Sequence, residues 1–106
     1  MSHPSFTTNP EGFLEDSSSW NKDFALLTAQ DEQIKMSDIH WEVVNYLREY
    51  YQEHQKSPAI RELVKALKIK FGPEVGNSLY LQSLFPESPA VQAAKIAGLP
   101  KPKKCI

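Results

Sequence analysis

The sequence predicts a mainly α fold, α+β at most: a small orthogonal helical bundle with a short N-terminal β element and an extended, mobile C-terminal arm. Three observations carry this expectation. Apolar residues recur at helical spacing in one segment after another. Each segment is bracketed by capping side chains, prolines or glycines. After Gly98, Pro100 and Pro102 forbid regular structure. At 106 residues the chain is one domain, long enough to bury a core. The expected division is a helical domain over 1–98, with 1–12 as an irregular N-terminal arm, and a flexible arm over 99–106 that bears the single cysteine.

Each element has its own punctuation. "NPEG" at 9–12 is a turn signal, and any β element is hairpin-sized, around Phe6 and Phe13-Leu14. In "SSSWNKDFALLTAQDEQ" the serine run is a candidate N-cap, followed by Trp20, Phe24 and Leu27 at helical spacing. "SDIHWEVVNYLREYYQEH" starts at Ser37 with Asp38 in its first turn, where a carboxylate suits the helix dipole. Its broad apolar set, Ile39, Val43, Tyr46, Leu47 and Tyr50, marks it as the central helix. Two segments then open on Ser-Pro, at Ser57-Pro58 and Ser88-Pro89, which reads as a capping hydroxyl before a proline in the first helical position. The first has Ile60, Leu63, Val64 and Leu67 on one face, Arg61, Lys65 and Lys68 on another, and Gly72-Pro73 as its stop. Asn77 caps a short helix that Pro86 ends, and Gly98 terminates the last one. The core is expected from Trp20, Phe24, Trp41, Val44, Leu47, Leu63, Leu67, Leu81, Leu84 and Phe85.

Composition excludes several classes of function. No run approaches the length of a membrane span, and "MSHPSFTTNPEGF" lacks the basic-then-apolar pattern of a secretory signal. The expected compartment is the cytoplasm, with no membrane partner. A single cysteine cannot close an internal disulfide, and His3, His40 and His54 share no ligand spacing with it, so no metal is expected. The four glycines all stand in turn or cap contexts, which leaves no phosphate-cradling loop. The net charge of −1 conceals an acidic first half and a basic second half. Residues 1–54 hold ten acids against three bases, and 55–106 nine bases against three acids. A basic face of this kind suits an acidic protein or a nucleic acid.

Chemistry concentrates in the last residues, "GLPKPKKCI". Cys105 is a thiol with an ordinary pKa near 8.5, mostly protonated at neutral pH. Lys103 and Lys104 favour its thiolate and the terminal carboxylate of Ile106 opposes it. Such a thiol becomes reactive inside a partner's pocket. Pro100 and Pro102 pre-extend the arm, which reaches roughly 20 Å from Gly98 at about 3.1 Å per residue and loses less entropy on entering a cleft. Lys101, Lys103 and Lys104 steer it toward acid, and Ile106 is a small apolar anchor. A second constellation, "IRELVKALKIKFGPEVGNSLYLQSLF", has the outline of a helix-turn-helix DNA reader with Arg61, Lys65 and Lys68 on its first helix. Its candidate recognition helix at 77–85 carries no Arg or Lys, a poor footprint for phosphate.

These residues resemble the TusE/DsrC sulfur-carrier family. The likeness runs from about Glu11 to Ile106 through "EGFL", Trp20, "HWEVV", "LREYY", "SPAIR", "GNS.YL..LFP", "SPA" and, most specifically, "QAAKIAGLPKPKKCI". The resemblance implies that Cys105 carries sulfur as a covalent persulfide, with no other cofactor. One branch of the family has a second cysteine eleven positions upstream. Here that position is Ala94, so two-thiol chemistry within the chain is ruled out and the TusE-like branch is implied. The implied partners are a TusBCD-like sulfur donor complex and an MnmA-like tRNA thiouridylase, with tRNA reached indirectly for wobble-uridine 2-thiolation. Arg61 joins the arm residues as an expected partner-docking position. The alternative is a single-cysteine DsrC-like regulatory module that binds DNA.

Overall fold

The computed structural model describes residues 7–102. Cys105, Lys103, Lys104, Ile106 and Phe6 fall outside them. A 3-10 turn, Ser17–Ser19, precedes five helices: α1 (Lys22–Asp31), α2 (Asp38–His54), α3 (Ile60–Phe71), α4 (Ser78–Leu84) and α5 (Pro89–Ile96). The fold is mainly helical, as the periodicity requires.

The N-terminal β element is a single antiparallel bridge, Thr8 to Leu14. Asn9 closes the turn between its two sides. Its Oδ1 accepts from the backbone of Glu11 at 3.0 Å and of Phe13 at 2.9 Å, while the Gly12 N–H donates to Asn9 O at 2.9 Å. Phe13 and Leu14, which follow it, are buried, with Lys95 Nζ of α5 5.8 Å from the centre of the Phe13 ring.

Three starts differ from expectation. Asn21, not the serine run, caps α1 by accepting from the Phe24 N–H at 3.0 Å. The serines form their own short turn, capped by Asp16 through Ser18. Ser57-Pro58 lies two residues ahead of α3, whose cap position is Ala59. Glu62 reaches back there to accept from the Ala59 N–H at 3.2 Å. Before α5 the proline does occupy the first turn. The capping acceptor, however, is Gln92 Oε1, which takes the N–H groups of Glu87 and Ser88 at 3.0 and 3.2 Å. In each case a carboxylate or amide, rather than the expected hydroxyl, takes the free N–H groups at the helix start.

Among the described residues the organising helix is α5 rather than α2. It packs against α1, α2, α3 and α4, and its Ala93, Ala94 and Ile96 have no exposure. Three alanines at 90, 93 and 94 keep it thin enough for neighbours to close around it at interior packing density. Phe24, Val44, Leu47, Leu63, Leu67, Leu81 and Phe85 fill the core as expected, whereas Trp20, Trp41 and Leu84 sit at its edge, partly exposed. His40 pins the start of α2 to the end of α4. Its Nε2–H donates to Leu84 O at 2.9 Å, and its Nδ1 accepts from the Ser37 N–H at 3.1 Å.

Candidate functional site: the root of the C-terminal arm

An α-helix leaves its last four carbonyls without partners, and those of α5 stand where the arm departs. All four are satisfied. Gly98, with φ +73°, turns the chain into the left-handed region. The Gly98 N–H then bonds Lys95 O at 3.2 Å and the Leu99 N–H bonds Ala94 O at 3.0 Å, which is the Schellman pattern. Leu99 folds back into the core with 1% exposure.

The remaining two carbonyls are taken by side chains from far along the chain. Trp20 Nε1 donates to Ile96 O at 2.8 Å. Arg48, from α2, donates through Nη1 to Ala97 O at 2.8 Å and through Nη2 to Ser17 O at 3.2 Å. Its guanidinium lies 4.4 Å from the centre of the Trp20 ring, a cation–π stack that also places a positive charge at the negative end of α5. Burial lowers the Arg48 pKa below the usual guanidinium value, yet arginine stays charged. Trp20 in turn covers Gly98 so closely that a β-carbon there would come within 2.5 Å of the ring.

The next residues are held as well. Ser57 Oγ donates to Pro100 O at 2.5 Å, and Ser57 and Pro58 are both buried. Lys101 pairs with Glu11 across 3.2 Å. Pro102 is buried, while Pro100 and Lys101 are exposed. The segment from 99 to 102 lacks regular structure, as its prolines dictate, but it lies against the body, so the arm's first part is seated rather than free. A neighbouring cluster braces the other side of α5. Lys95 Nζ meets Glu32 Oε2 at 2.7 Å and Gln92 Nε2 donates to Glu32 Oε1 at 3.0 Å. Desolvation pushes the Glu32 pKa up, but bonds from Lys95 and Gln92 outweigh it and hold the carboxyl below its usual 4.5.

Of the expected site residues, Lys101, Pro100 and Pro102 come together at this root. Arg61 does not join them. It lines a surface groove of about 450 Å³ with Ile60, Val64, Lys65, Lys68 and Ser78. Cys105, Lys103, Lys104 and Ile106 lie outside the described residues. Sequence reasoning missed Arg48 and Ser57 as arm-holding residues and treated Trp20 only as core.

The comparisons agree with this architecture. A family model described as "DsrC like protein" matches residues 1–106. The sulfurtransferase TusE of Escherichia coli K12 is 57% identical over 99 residues, covering 93% of this chain and 91% of that protein. TusE of Photorhabdus laumondii is 56% identical over 99 residues, covering 93% and 89%. Among solved structures, DsrC of Allochromatium vinosum superposes with a TM-score of 0.88 at 46% identity, covering 95% of this chain and 90% of that one. The oxidized γ-subunit of the dissimilatory sulfite reductase of Archaeoglobus fulgidus, also DsrC, superposes at 0.80 with 34% identity, covering 95% and 92%.

Proposed function

The chain belongs to the DsrC-like protein family, and from that premise we propose that Cys105 carries sulfur between proteins as a persulfide. Its role is that of a sulfurtransferase in a sulfur relay, working with other proteins, as in its TusE relatives. The observation that carries the proposal is the root of the arm. Side chains from four distant points, Glu11, Trp20, Arg48 and Ser57, bond to the segment 96–101, three residues or so before a lone penultimate thiol. A domain that fixes the departure of its last residues this thoroughly is built to present them.

The chemistry needs no oxidant. The Cys105 thiolate attacks the outer sulfur of a donor persulfide, a new S–S bond forms at Cys105, and the donor's own S–S bond breaks to release a thiolate. The acceptor's thiolate then takes the same outer sulfur in the same way, and Cys105 is left as it began. The lysines near the thiol favour the anionic forms of both thiol and persulfide, and no separate cofactor takes part. With alanine at 94, the chain holds no second thiol to divert the sulfur into an internal ring.

The donor in this reading is a TusBCD-like complex and the acceptor an MnmA-like tRNA thiouridylase, with tRNA wobble-uridine 2-thiolation in the cytoplasm as the destination. No helix among the described residues is long and apolar enough to cross a membrane, and the reading places no partner in one. The test is mass spectrometry of the protein purified without reductant and then incubated with a sulfur-loaded donor. One added sulfur atom mapped to Cys105, and discharged on adding the acceptor, is the expected result. Sulfur that loads equally well on Cys105→Ser would sink the proposal.

A further inference from the structure

Arg61, Lys65 and Lys68 make no ion pair among the described residues, whereas Lys56, Lys70, Lys95 and Lys101 each have a carboxylate partner. At 100° per residue the three fall within an arc of about 60° on α3 and span about 10 Å of its length. Like charges three and four residues apart weaken a helix by a few tenths of a kcal/mol per pair. Lys22 and Lys35 also make no ion pair among the described residues, but they lie on α1 and in the loop after it; what sets the three apart is their grouping on one face of α3.

Their surroundings indicate what that grouping serves. Ile60 and Val64, both partly buried, lie along one side of the basic strip and form the apolar part of the groove. On the other side of the strip by helix geometry, Ile69 is 79% exposed; on α4, Leu79 follows the groove-lining Ser78 and is 82% exposed. An apolar wall of Ile60 and Val64 beside unpaired cations, with a large exposed apolar residue at 69 on the same helix, is what a helix-binding groove presents. No aromatic side chain lines the groove to stack a base, and α4 adds no Arg or Lys. The features therefore favour protein over nucleic acid.

We propose that this groove docks an acidic amphipathic helix of a protein partner in the relay, with its apolar edge on Ile60 and Val64 and its carboxylates against Arg61, Lys65 and Lys68. The inference rests on the relay reading only for where the partner comes from, because the groove shares no residue with the arm's root. Two contacts on one body serve a carrier well. The groove supplies standing affinity, and a tethered thiol then meets its target at high local concentration.

The full-length Cys105→Ser chain, which exchanges no sulfur, is titrated calorimetrically into the purified TusBCD-like donor complex and, separately, the MnmA-like acceptor. The expected result is a tenfold or greater loss of affinity for one of them in R61E/K65E/K68E. The parent's affinity should fall as salt rises, and Val64→Ser should weaken binding about threefold with no change in salt dependence. Far-UV circular dichroism confirms that each variant is folded. Unchanged affinity for both proteins in the triple variant overturns the proposal. So does charge-dependent binding of a single-stranded oligouridine at the groove with the proteins unaffected. Persulfide loading of the Cys105-containing triple variant from a small-molecule persulfide should match the parent's. If the parent itself takes no sulfur, the carrier reading fails alone, and the titration still decides the groove.

Discussion

Arg48→Met removes the charge that caps α5 while keeping most of the aliphatic stem. The parent side chain makes two charged-donor hydrogen bonds, to Ala97 O at 2.8 Å and Ser17 O at 3.2 Å, and stacks on Trp20 at 4.4 Å. Hydrogen bonds from charged groups contribute about 1.5–3 kcal/mol each. The longer bond and the partial exposure of Arg48 place the pair at the low end of that range, and the stack adds about 0.5 kcal/mol. These terms share one group and do not sum freely, so the expected loss is about 2–3 kcal/mol. For a domain of this size that lowers Tm by roughly 10–15 °C. Arg48→Lys keeps a cation but loses the planar fork, and about half the effect is expected. Thermal unfolding followed by far-UV circular dichroism measures both. The functional consequence is separable, because at a temperature where both variants are folded, sulfur transfer through Cys105 should fall several-fold as the arm's departure loosens. If Arg48→Met melts within about 2 °C of the parent, the guanidinium does not hold the end of α5 and the reasoning about the arm's root is wrong.

Other perturbations test neighbouring parts of the argument. Gly98→Ala puts a β-carbon at φ +73°, 2.5 Å from Trp20 Cδ1, and should cost at least about 1–2 kcal/mol, shown by denaturant unfolding together with a red-shifted tryptophan emission as the ring is pushed toward solvent. Ser57→Ala removes the clamp on Pro100 O. Its expected cost is about 1 kcal/mol, with slower protein-to-protein transfer but unchanged alkylation of Cys105 by iodoacetamide. Since the folded pKa of Glu32 lies below its usual 4.5, its contribution to stability is fully present above that value and is lost as pH falls through the lower, folded pKa. Glu32→Gln should flatten the stability profile in that acidic window, and an unchanged slope between parent and variant would contradict the role given to Lys95 and Gln92. Cys105→Ser, a near-isosteric change, should leave Tm within about 2 °C, while abolishing transfer outright in a reconstituted relay.

What could be read from the sequence divides by range. Helix ends governed by neighbouring residues, such as the Gly72 stop, the Asn77 cap and the Gly98 terminator, stood where their local chemistry put them. So did the turn at Asn9, while of the expected stripes Val43, Leu47, Leu63 and Leu67 are buried and Ile39, Tyr46, Tyr50, Ile60 and Val64 stay partly exposed. The arm's root was invisible for the opposite reason. Trp20 to Ile96, Arg48 to Ala97 and Ser57 to Pro100 are separated by 76, 49 and 43 residues, and neither periodicity nor spacing records such meetings. Ser57 illustrates the difficulty. A serine before a proline is a fair helix cap by local rules, yet its hydroxyl is used on a carbonyl that only tertiary folding brings near. The rank of α5 was hidden in the same way, because alanines carry little apolar signal although they are what lets four helices crowd one axis. Cys105, by contrast, drew attention through position and composition alone, being the one thiol in a run of lysines and prolines.

On the carrier reading, the burial of Pro102 sets the length of the chain between the body and Cys105. Measured from Gly98, seven residues lead to Cys105, a span of at most about 25 Å when fully extended; measured from Pro102 only three do, at most about 11 Å. The volume within that reach grows as the cube of the radius, so a limit counted from Pro102 rather than from Gly98 is roughly tenfold smaller. A thiol confined to a tenth of the space is encountered about ten times more often at any point within it. If Cys105 carries sulfur as proposed, an acceptor must bring its own reactive atom within about 11 Å of Pro102, so that a partner would approach the face of the domain bearing Glu11 and Lys101.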